Sequence, residues 1–302
     1  MKIAVLFVGE VHDRGFNQCA LEGVERMRAA GAAEIEIVSG VSYQPNAMTT
    51  ALETSAARAD GVIFIGGQGN GITPPVAASF PDRSFAVVQG NVTGANLASY
   101  DVLQEQSAFL AGVAAARLTQ SGVVGHLSGH RVSPGLKGRA AFSSGLRHVD
   151  ENIRLVTGFC GTQDDNETTD RWARGIADTG ADILFTMLNA ARDGAIDACQ
   201  ATGMRQIGNA TDWCAVDADV FVASAVARID LGVERAVINL LAGRCPDQIE
   251  DLGLAQNAVE LTCAPDVPEV VREEVNASAE MIAARQLEVE TVFNGPEFEL
   301  GQ

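Results

Sequence analysis

Short apolar runs rich in β-branched residues alternate along this chain with longer segments in which apolar residues recur at helical spacing. The runs 3–8, 61–65 and 182–187 are nearly continuous in apolar residues, which is typical of strands buried on both faces of a parallel sheet. Segment 15–30, which follows the first run, has the apolar periodicity of a helix. This alternation predicts an α/β fold with doubly wound parallel sheets.

The complete pattern predicts ten strands and six helices. The strands are 3–8, 34–38, 61–65, 85–89, 97–100, 123–127, 154–157, 182–187, 206–209 and 220–224, and the helices are 15–30, 47–58, 104–119, 138–147, 170–179 and 191–202. The glycine-rich segment 66–71 is predicted to be a turn. Two βα blocks, about 1–120 and 121–222, precede a mixed tail, so the sequence predicts two α/β lobes.

Length and composition agree with a folded chain of two domains. The 302 residues are about twice the ~150 expected of one domain. With 47% hydrophobic residues, each half can bury a core, and long disordered segments are not expected. The 39 acidic and 21 basic residues give a net charge of −18, which disfavours nucleic acids and anionic membrane surfaces as partners.

The chain carries no clear signal for targeting, metal binding or a cofactor. Its first ten residues, MKIAVLFVGE, lack the apolar core and cleavage site of a secretory signal, so they are interpreted as a strand. Either a cytoplasmic protein or a mature chain with a new initiator methionine is therefore expected. The six cysteines include no CxxC pair, and buried thiols are the favoured interpretation. We predict neither a metal site nor a cofactor.

Polar residues that follow the predicted strands form the candidate ligand site, because open parallel sheets bind ligands at the carboxyl ends of their strands. Segment 10–17 follows the first strand, Gln68 lies in the glycine turn, and Asp101 follows the fifth strand. In the second block, Asn189 and the pair 212–213 hold similar positions. Carboxylates and amides beside aromatic rings suit a neutral polyhydroxylated or heterocyclic ligand, although such residues also serve as caps and turns.

Catalytic motifs are not evident, but an enzyme remains an alternative. The glycines of 66–71 have the wrong spacing for a dinucleotide-binding motif, and no Lys-Ser/Thr pair follows them as in a P-loop. Cys160, Asp164, Asp165 and His130 fall in predicted loops of the second block and are the residues that catalysis would use. A solvated turn or a helix cap is the simpler interpretation of the two aspartates.

Five segments in collinear order resemble one known family. They are DRGFN at 13–17 followed by Glu22-Gly23, QSAFLAG at 106–112, the glycines and Pro134 within 125–145, GADILF at 180–185, and 207–212. Together they resemble the motifs of the basic membrane protein (BMP) family. Its members are type-I periplasmic binding proteins that deliver purine nucleosides to ABC transporters, and the resemblance extends over nearly the whole chain.

The resemblance implies an architecture and a mode of action. Two lobes, 1–121 with 224–243 and 122–223 with 244–302, would be joined by three crossovers and would close over a ligand cleft between them. The chain would be a monomer that passes its ligand to an ABC transporter permease. It would be periplasmic or a surface lipoprotein if a signal was removed, and cytoplasmic if the sequence is full length. A cytosolic ligand sensor or an enzyme on the same fold is the alternative.

The resemblance also implies roles for individual residues. Phe16 would stack on the base, Asn17 would bond to the ligand, and Asp13 would shape their loop. Asp212 and Asp101 would accept hydrogen bonds from sugar hydroxyls, since a carboxylate can accept from two neighbouring hydroxyls.

Three further candidates, Gln68, Asn189 and Trp213, are inferred from their positions after strands. Trp213 would provide a second stacking surface or would fill the interior of its lobe. The chain departs from the family pattern where Ala227 replaces a lysine, where Ala210 replaces an aspartate, and where segment 187–192 lacks the usual glycine-rich motif. The predicted ligand is therefore a purine nucleoside or a related heterocycle.

Overall fold

The computed structural model describes residues 1–301 and contains two six-stranded sheets, each within its own compact unit. The first unit comprises Met1–Val102 and Arg228–Leu252, and the second comprises Leu103–Ala227 and the chain from Gly253 onward. The predicted α/β fold with two parallel-sheet units is therefore confirmed. Among the helices of the described residues, none has both the length and the apolar character needed to cross a bilayer.

The elements are numbered along the chain. The strands are β1 (Lys2–Val8), β2 (Glu34–Val41), β3 (Gly61–Ile65), β4 (Ser84–Val88), β5 (Leu97–Val102), β6 (Val123–Ser128), β7 (Arg154–Phe159), β8 (Ile183–Met187), β9 (Arg205–Ala210), β10 (Phe221–Ala227), β11 (Glu250–Leu252) and β12 (Val259–Cys263). The helices are α1 (Phe16–Ala29), α2 (Pro45–Ala56), α3 (Gly69–Ser79), α4 (Gln104–Leu118), α5 (Ser133–Val149), α6 (Asn166–Ala177), α7 (Arg192–Thr202), α8 (Ile229–Leu241) and α9 (Glu269–Ala283).

In the first unit, the strand order is β11-β5-β4-β3-β1-β2, and every neighbouring pair is parallel. Helices cover both faces, which explains why β3 is buried along its whole length. On one face α1 packs closely on α8, because Gly23 has no side chain. A Cβ at Gly23 would lie 2.6 Å from the carbonyl oxygen of Asp230.

In the second unit, the order is β12-β10-β9-β8-β6-β7, and only β12 runs antiparallel to its neighbour, β10. Helices α4 and α5 pack against each other through two glycines. A Cβ at Gly112 would lie 2.3 Å from the carbonyl oxygen of Phe142, and one at Gly145 would lie 2.1 Å from that of Phe109. The aromatic core beneath them includes Phe142 and Phe185, whose ring centroids are 4.8 Å apart.

Two local predictions were wrong. The glycine segment 66–71 is not a simple turn, because α3 begins at Gly69 and continues to Ser79. The helix contains Pro74 and Pro75, which lack the N–H that an interior position needs and normally end a helix. Burial of Val76 and Ala77 in the hydrophobic core of the unit outweighs that preference. Asp101 does not follow β5 but is its penultimate residue, since the strand continues to Val102.

The chain passes from one compact unit to the other after residues 102, 227 and 252. The lobes inferred from sequence, 1–121 with 224–243 and 122–223 with 244–302, place α4 in the first lobe, whereas α4 packs within the second unit. The lobes as bodies that move during ligand binding remain a prediction.

Candidate functional site

In the first unit, the loop between β1 and α1 is organised by Asp13, which is 1% exposed. Its Oδ1 accepts hydrogen bonds from the backbone N–H groups of Gly15 at 2.9 Å and Gln18 at 3.0 Å. Its Oδ2 accepts from the N–H of Asn17 at 3.0 Å. A carboxylate at this point satisfies the unpaired donors of the first helical turn and neutralises the positive end of α1. The predicted role of Asp13 in shaping the loop agrees with these contacts.

Asn17 fastens the same loop to the end of β1. Its Nδ2 donates to the carbonyl oxygens of Val8 at 2.9 Å and Glu10 at 2.8 Å, and the residue is 3% exposed. Both donors of the amide are therefore used within the loop, and a contact between Asn17 and a ligand remains a prediction. Phe16, between these two anchored residues, is the first residue of α1 and is only half-buried.

A second aromatic side chain at this edge, Tyr43, was missed by the sequence analysis. It follows the carboxyl end of β2 and is half-buried. Its hydroxyl lies over Gly9, where a Cβ would be 2.4 Å from the Tyr43 Oη. The residue could have been found by extending β2, because the predicted strand ended at 38 and the observed strand continues to Val41.

The ends of β3 and β5 in the first unit are closed by two glutamines. Gln68 precedes α3 and is half-buried, and its Oε1 would lie 2.7 Å from a Cβ at Gly66. Gln89, which sequence analysis missed, bonds to both backbone groups of Val102: the N–H of Val102 donates to Oε1 at 2.7 Å, and Nε2 donates to its carbonyl at 3.1 Å. Asp101, 7% exposed, therefore lies in a strand end that Gln89 holds in place.

In the second unit, the loops after β7 and β8 are joined through Gln163. The N–H of Asn189 donates to the Gln163 Oε1 at 3.0 Å, and the N–H of Ala191 donates to the backbone carbonyl of Gln163 at 2.7 Å. Asn189 is half-buried at this junction. Asn189, a predicted ligand-binding residue, thus lies at the carboxyl edge of the sheet, in a segment whose backbone is bonded to a neighbouring loop.

A fully buried arginine, Arg192, ties this edge together, and sequence analysis did not identify it. Its Nη1 donates to Thr186 Oγ1 at 2.8 Å, and its Nη2 donates to the carbonyl of Leu188 and to Asn209 Oδ1. The guanidinium therefore connects the end of β8 to the end of β9. No pattern along the chain indicates such a residue, because arginine is rarely buried completely.

Trp213 packs directly on this guanidinium. The Cζ of Arg192 lies 4.6 Å from the indole centroid, and the ring of Phe221 lies 5.3 Å from it on a tilted plane. The indole N–H donates to the carbonyl of Asn209 at 3.2 Å, and the residue is 3% exposed. Of the two roles considered for Trp213, these contacts support filling the interior, and a stacking role toward a ligand remains a prediction.

Asp212 lies in the same loop and is only half-buried. Its Oδ1 accepts from the N–H of Cys214 at 3.1 Å and from Thr262 Oγ1 at 2.8 Å. Within residues 1–301 its Oδ2 takes part in no hydrogen bond and retains its accepting capacity. Ala210, two residues before Asp212, has a φ of +68°, a left-handed conformation that a residue with a Cβ adopts only at a cost in energy.

Each unit therefore brings its own candidates to the carboxyl edge of its sheet. In the first unit, Asp13, Phe16 and Asn17 share one loop, whereas Gln68 and Asp101 lie near the ends of β3 and β5, with β4 between these strands. In the second unit, Asp212 and Trp213 share one loop. The Arg192 network connects that loop to the segment that contains Asn189.

The residues considered for catalysis make contacts typical of structural roles. Asp165 is the N-cap of α6, where it accepts from the N–H and hydroxyl of Thr168 at 3.1 and 2.6 Å, and these bonds lower its pKa. Burial raises the pKa of the Cys160 thiol and lowers that of His130, so neither is activated as a nucleophile or kept charged. Asp164 is exposed beside them. Within residues 1–301, no group of three or more His, Cys, Asp or Glu residues could hold a metal ion.

Comparison with known proteins gives a family and a set of structural neighbours. The family model described as "Bmp: ABC transporter substrate-binding protein PnrA-like" matches residues 1–293. Basic membrane protein A of Borreliella burgdorferi is 24% identical over 206 residues, which are 67% of this chain and 60% of that protein. The CD4+ T-cell-stimulating antigen of Listeria monocytogenes is 24% identical over 277 residues, which are 84% of this chain and 77% of that protein. The chain thus spans about 60% of the length of the first of these curated relatives.

Solved structures confirm the type-I periplasmic binding protein fold. A solute-binding protein of an ABC transporter system from Aeropyrum pernix superposes with a TM-score of 0.86 at 17% identity, covering 97% of this chain and 94% of that one. A transcriptional activator of the comK gene from Bacillus halodurans superposes with a TM-score of 0.76 at 16% identity, and the match covers 94% of this chain and 98% of that one. At these identities the likeness concerns the fold alone.

Proposed function

The chain belongs to the Bmp family of PnrA-like ABC transporter substrate-binding proteins, and on this premise we propose that it binds a neutral, nucleoside-like ligand for an ABC transporter permease. The observation that carries the ligand proposal is the loop 13–17 of the first unit. Asp13 and Asn17 are both bonded to backbone groups, and they hold Phe16 half-exposed at the start of α1. A half-exposed aromatic residue on a backbone fixed in this way offers a stacking surface for a heterocyclic base.

The second unit contributes a candidate for the sugar. Asp212 has one oxygen engaged with Cys214 and Thr262, which orients the carboxylate, while the other can accept from ligand hydroxyls. Charge-assisted bonds of this kind are stronger than neutral ones and favour a diol over a bare base. This free acceptor therefore supports a riboside as the ligand.

The charge of the chain supports a neutral ligand. A net charge of −18 repels phosphorylated compounds unless a local basic site overrides it. Ala227 and Ala210, where the family pattern has a lysine and an aspartate, reduce the polar contacts available to a ligand. We therefore include related neutral heterocycles beside purine nucleosides, and we propose that the protein acts outside the cytoplasm, as substrate-binding proteins of ABC transporters do.

Ligand-dependent thermal stabilisation tests the proposal. The panel contains adenosine, guanosine, inosine, cytidine, the free bases and ribose, added to protein freed of bound ligand by unfolding and refolding. A ligand at 100 times its Kd stabilises a protein by about 2.7 kcal/mol, which raises Tm by several degrees. We expect purine nucleosides to give the largest shift. An absence of any shift at millimolar concentrations of all these compounds would contradict the proposal.

Two substitutions assign the contacts. Phe16→Ala is expected to weaken nucleoside binding at least tenfold, because it removes the stacking surface. Phe80→Ala, which removes another half-buried phenylalanine at the far end of α3, serves as the matched control and should bind normally. Asp212→Asn should weaken binding of nucleosides more than binding of free bases. Unchanged nucleoside affinity in Phe16→Ala would exclude this loop as the site.

A further inference from the structure

Two arginines of the second unit share one carboxylate from the end of the chain. Arg131 lies in the connection between β6 and α5, and Arg139 lies on α5. Arg131 forms a bidentate pair with Glu297, with its Nη1 at 3.1 Å from Oε1 and its Nη2 bonded to Oε2. Arg139 Nη1 donates to the same Oε1. One carboxylate is thus held by two guanidinium groups, the arrangement by which proteins bind oxyanions.

The arginines are positioned by aromatic rings as well as by this carboxylate. The Cζ atoms of Arg131 and Arg139 lie 4.7 and 4.9 Å from the centroid of Phe159, and Arg139 is also 4.6 Å from that of Phe293. The side chain of Arg139 is 7% exposed. Its buried Nε has no hydrogen-bond partner among residues 1–301. A preorganised, desolvated guanidinium of this kind needs an anion, because an unpaired buried charge is costly.

Glu297 is brought to the arginines by residues 293–301, here named the C-terminal strap. The N–H of Phe298 donates to the carbonyl of Thr157 on β7 at 2.8 Å, and its ring meets that of Trp172 at 5.9 Å. Leu300 packs over Gly175 on α6. These anchors hold the strap independently of its ion pairs. Nearly all of the strap lies beyond residue 293, where the match to the family model ends.

We propose that Arg131 and Arg139 form an oxyanion-binding site of the second unit, which the chain fills with the carboxylate of Glu297. When this carboxylate is removed, an external phosphate binds the same two guanidinium groups. Tethering gives the internal carboxylate a high effective concentration, so the intact chain excludes external anions from the site. The proposal goes beyond nucleoside binding and does not depend on it. The low pKa of Glu297, about 2, is consistent with the strength of the pairing.

The test compares the binding of inorganic phosphate to full-length variants by calorimetry at constant ionic strength. In Glu297→Gln the internal anion is lost while the size of the side chain is kept. We expect this variant to bind phosphate at least tenfold more tightly than the wild-type chain does. Glu290→Gln is the matched control, because Glu290 also follows α9 but pairs with Arg147, at 2.7 Å. It should behave as wild type.

The double variant Arg139→Gln/Glu297→Gln should lose the phosphate binding gained by Glu297→Gln. Two results would overturn the proposal. In the first, folded Glu297→Gln binds phosphate no more tightly than Glu290→Gln does. In the second, the double variant binds phosphate as tightly as Glu297→Gln does. Phe298→Ala provides a second route if Glu297→Gln does not fold, since it loosens the strap and keeps every charge. Phosphate affinity in Phe298→Ala should exceed that of wild type, and an unchanged affinity counts against the proposal.

Discussion

In each of the two units, a residue in the left-handed conformation lies at the end of the third strand or directly after it, when strands are counted from β11 or from β12. Gln89, which follows β4, has a φ of +66°, and Ala210 at the end of β9 has a φ of +68°. Gln89 is held by two bonds from its own amide to Val102. The methyl group of Ala210 can make no such bond, and its neighbour Asn209 is instead held by the buried Arg192.

The difference shows how one topology can secure its carboxyl edge in two ways. In the first unit, the edge is fixed by separate short bonds from Asp13, Asn17 and Gln89, each to nearby backbone groups. In the second unit, a single buried cation, Arg192, connects two strand ends and supports an indole. Substitution of one residue should therefore lower the free energy of unfolding more in the second unit than in the first.

Arg192→Met gives the largest expected effect. The substitution roughly preserves volume but removes a buried donor group and leaves acceptors on Thr186, Leu188 and Asn209 without it. We expect the free energy of unfolding to fall by about 3 kcal/mol, measured by urea denaturation. Arg154→Met, at an exposed arginine of the same unit, is the control. A loss below about 1 kcal/mol would show that the edge does not depend on Arg192.

Asp13→Ala is expected to cost less, about 2 kcal/mol, because three backbone donors of a single loop lose their acceptor while the strand ends of the sheet stay joined. Asp13→Asn should recover part of this stability, since one carboxamide oxygen still accepts. Urea denaturation of both variants gives the values. If Asp13→Ala lowers the free energy of unfolding more than Arg192→Met does, the edge of the first unit depends more on one residue than the edge of the second unit does.

Glycine at the two left-handed positions should have opposite effects. Gln89→Gly removes two bonds to Val102 and should destabilise the chain by about 1 kcal/mol. Ala210→Gly relieves the cost of a Cβ in this conformation, partly offset by the greater freedom of glycine in the unfolded chain, for a net gain of about 0.5 kcal/mol. Differential scanning calorimetry checks both signs. Equal effects at the two sites would mean that the side chain of Gln89 contributes nothing.

The last prediction concerns the dependence of stability on pH. Pairing with Arg131 and Arg139 lowers the pKa of Glu297 from 4.5 to about 2. Its stabilisation is therefore complete above about pH 4.5 and is lost as the pH falls toward 2. The difference in Tm between wild type and Glu297→Gln should be constant near neutral pH and should shrink below about pH 4.5. If the Tm difference stays the same down to pH 2.5, the stabilisation by Glu297 comes from packing and not from its charge.

Local patterns along the chain were sufficient for the fold class and for several elements. The bounds of β3 were predicted without error, because five consecutive apolar residues between turn signals suit a strand buried on both faces. Membership of the BMP family, inferred from five collinear segments, is confirmed by the match over residues 1–293. Helix α3 was missed because Pro74 and Pro75 violate local helix rules that tertiary packing overrode.

The candidate edges also followed from sequence, since polar residues after buried strands come together wherever parallel strands end. The partners of those residues did not follow from it. Arg192 became recognisable only when two strand ends converged on its guanidinium, and Arg131 and Glu297 are 166 positions apart in the chain. Periodicity reports which face of an element is buried. Which charges meet inside the protein depends on distances that exist only after the sheets and helices have packed.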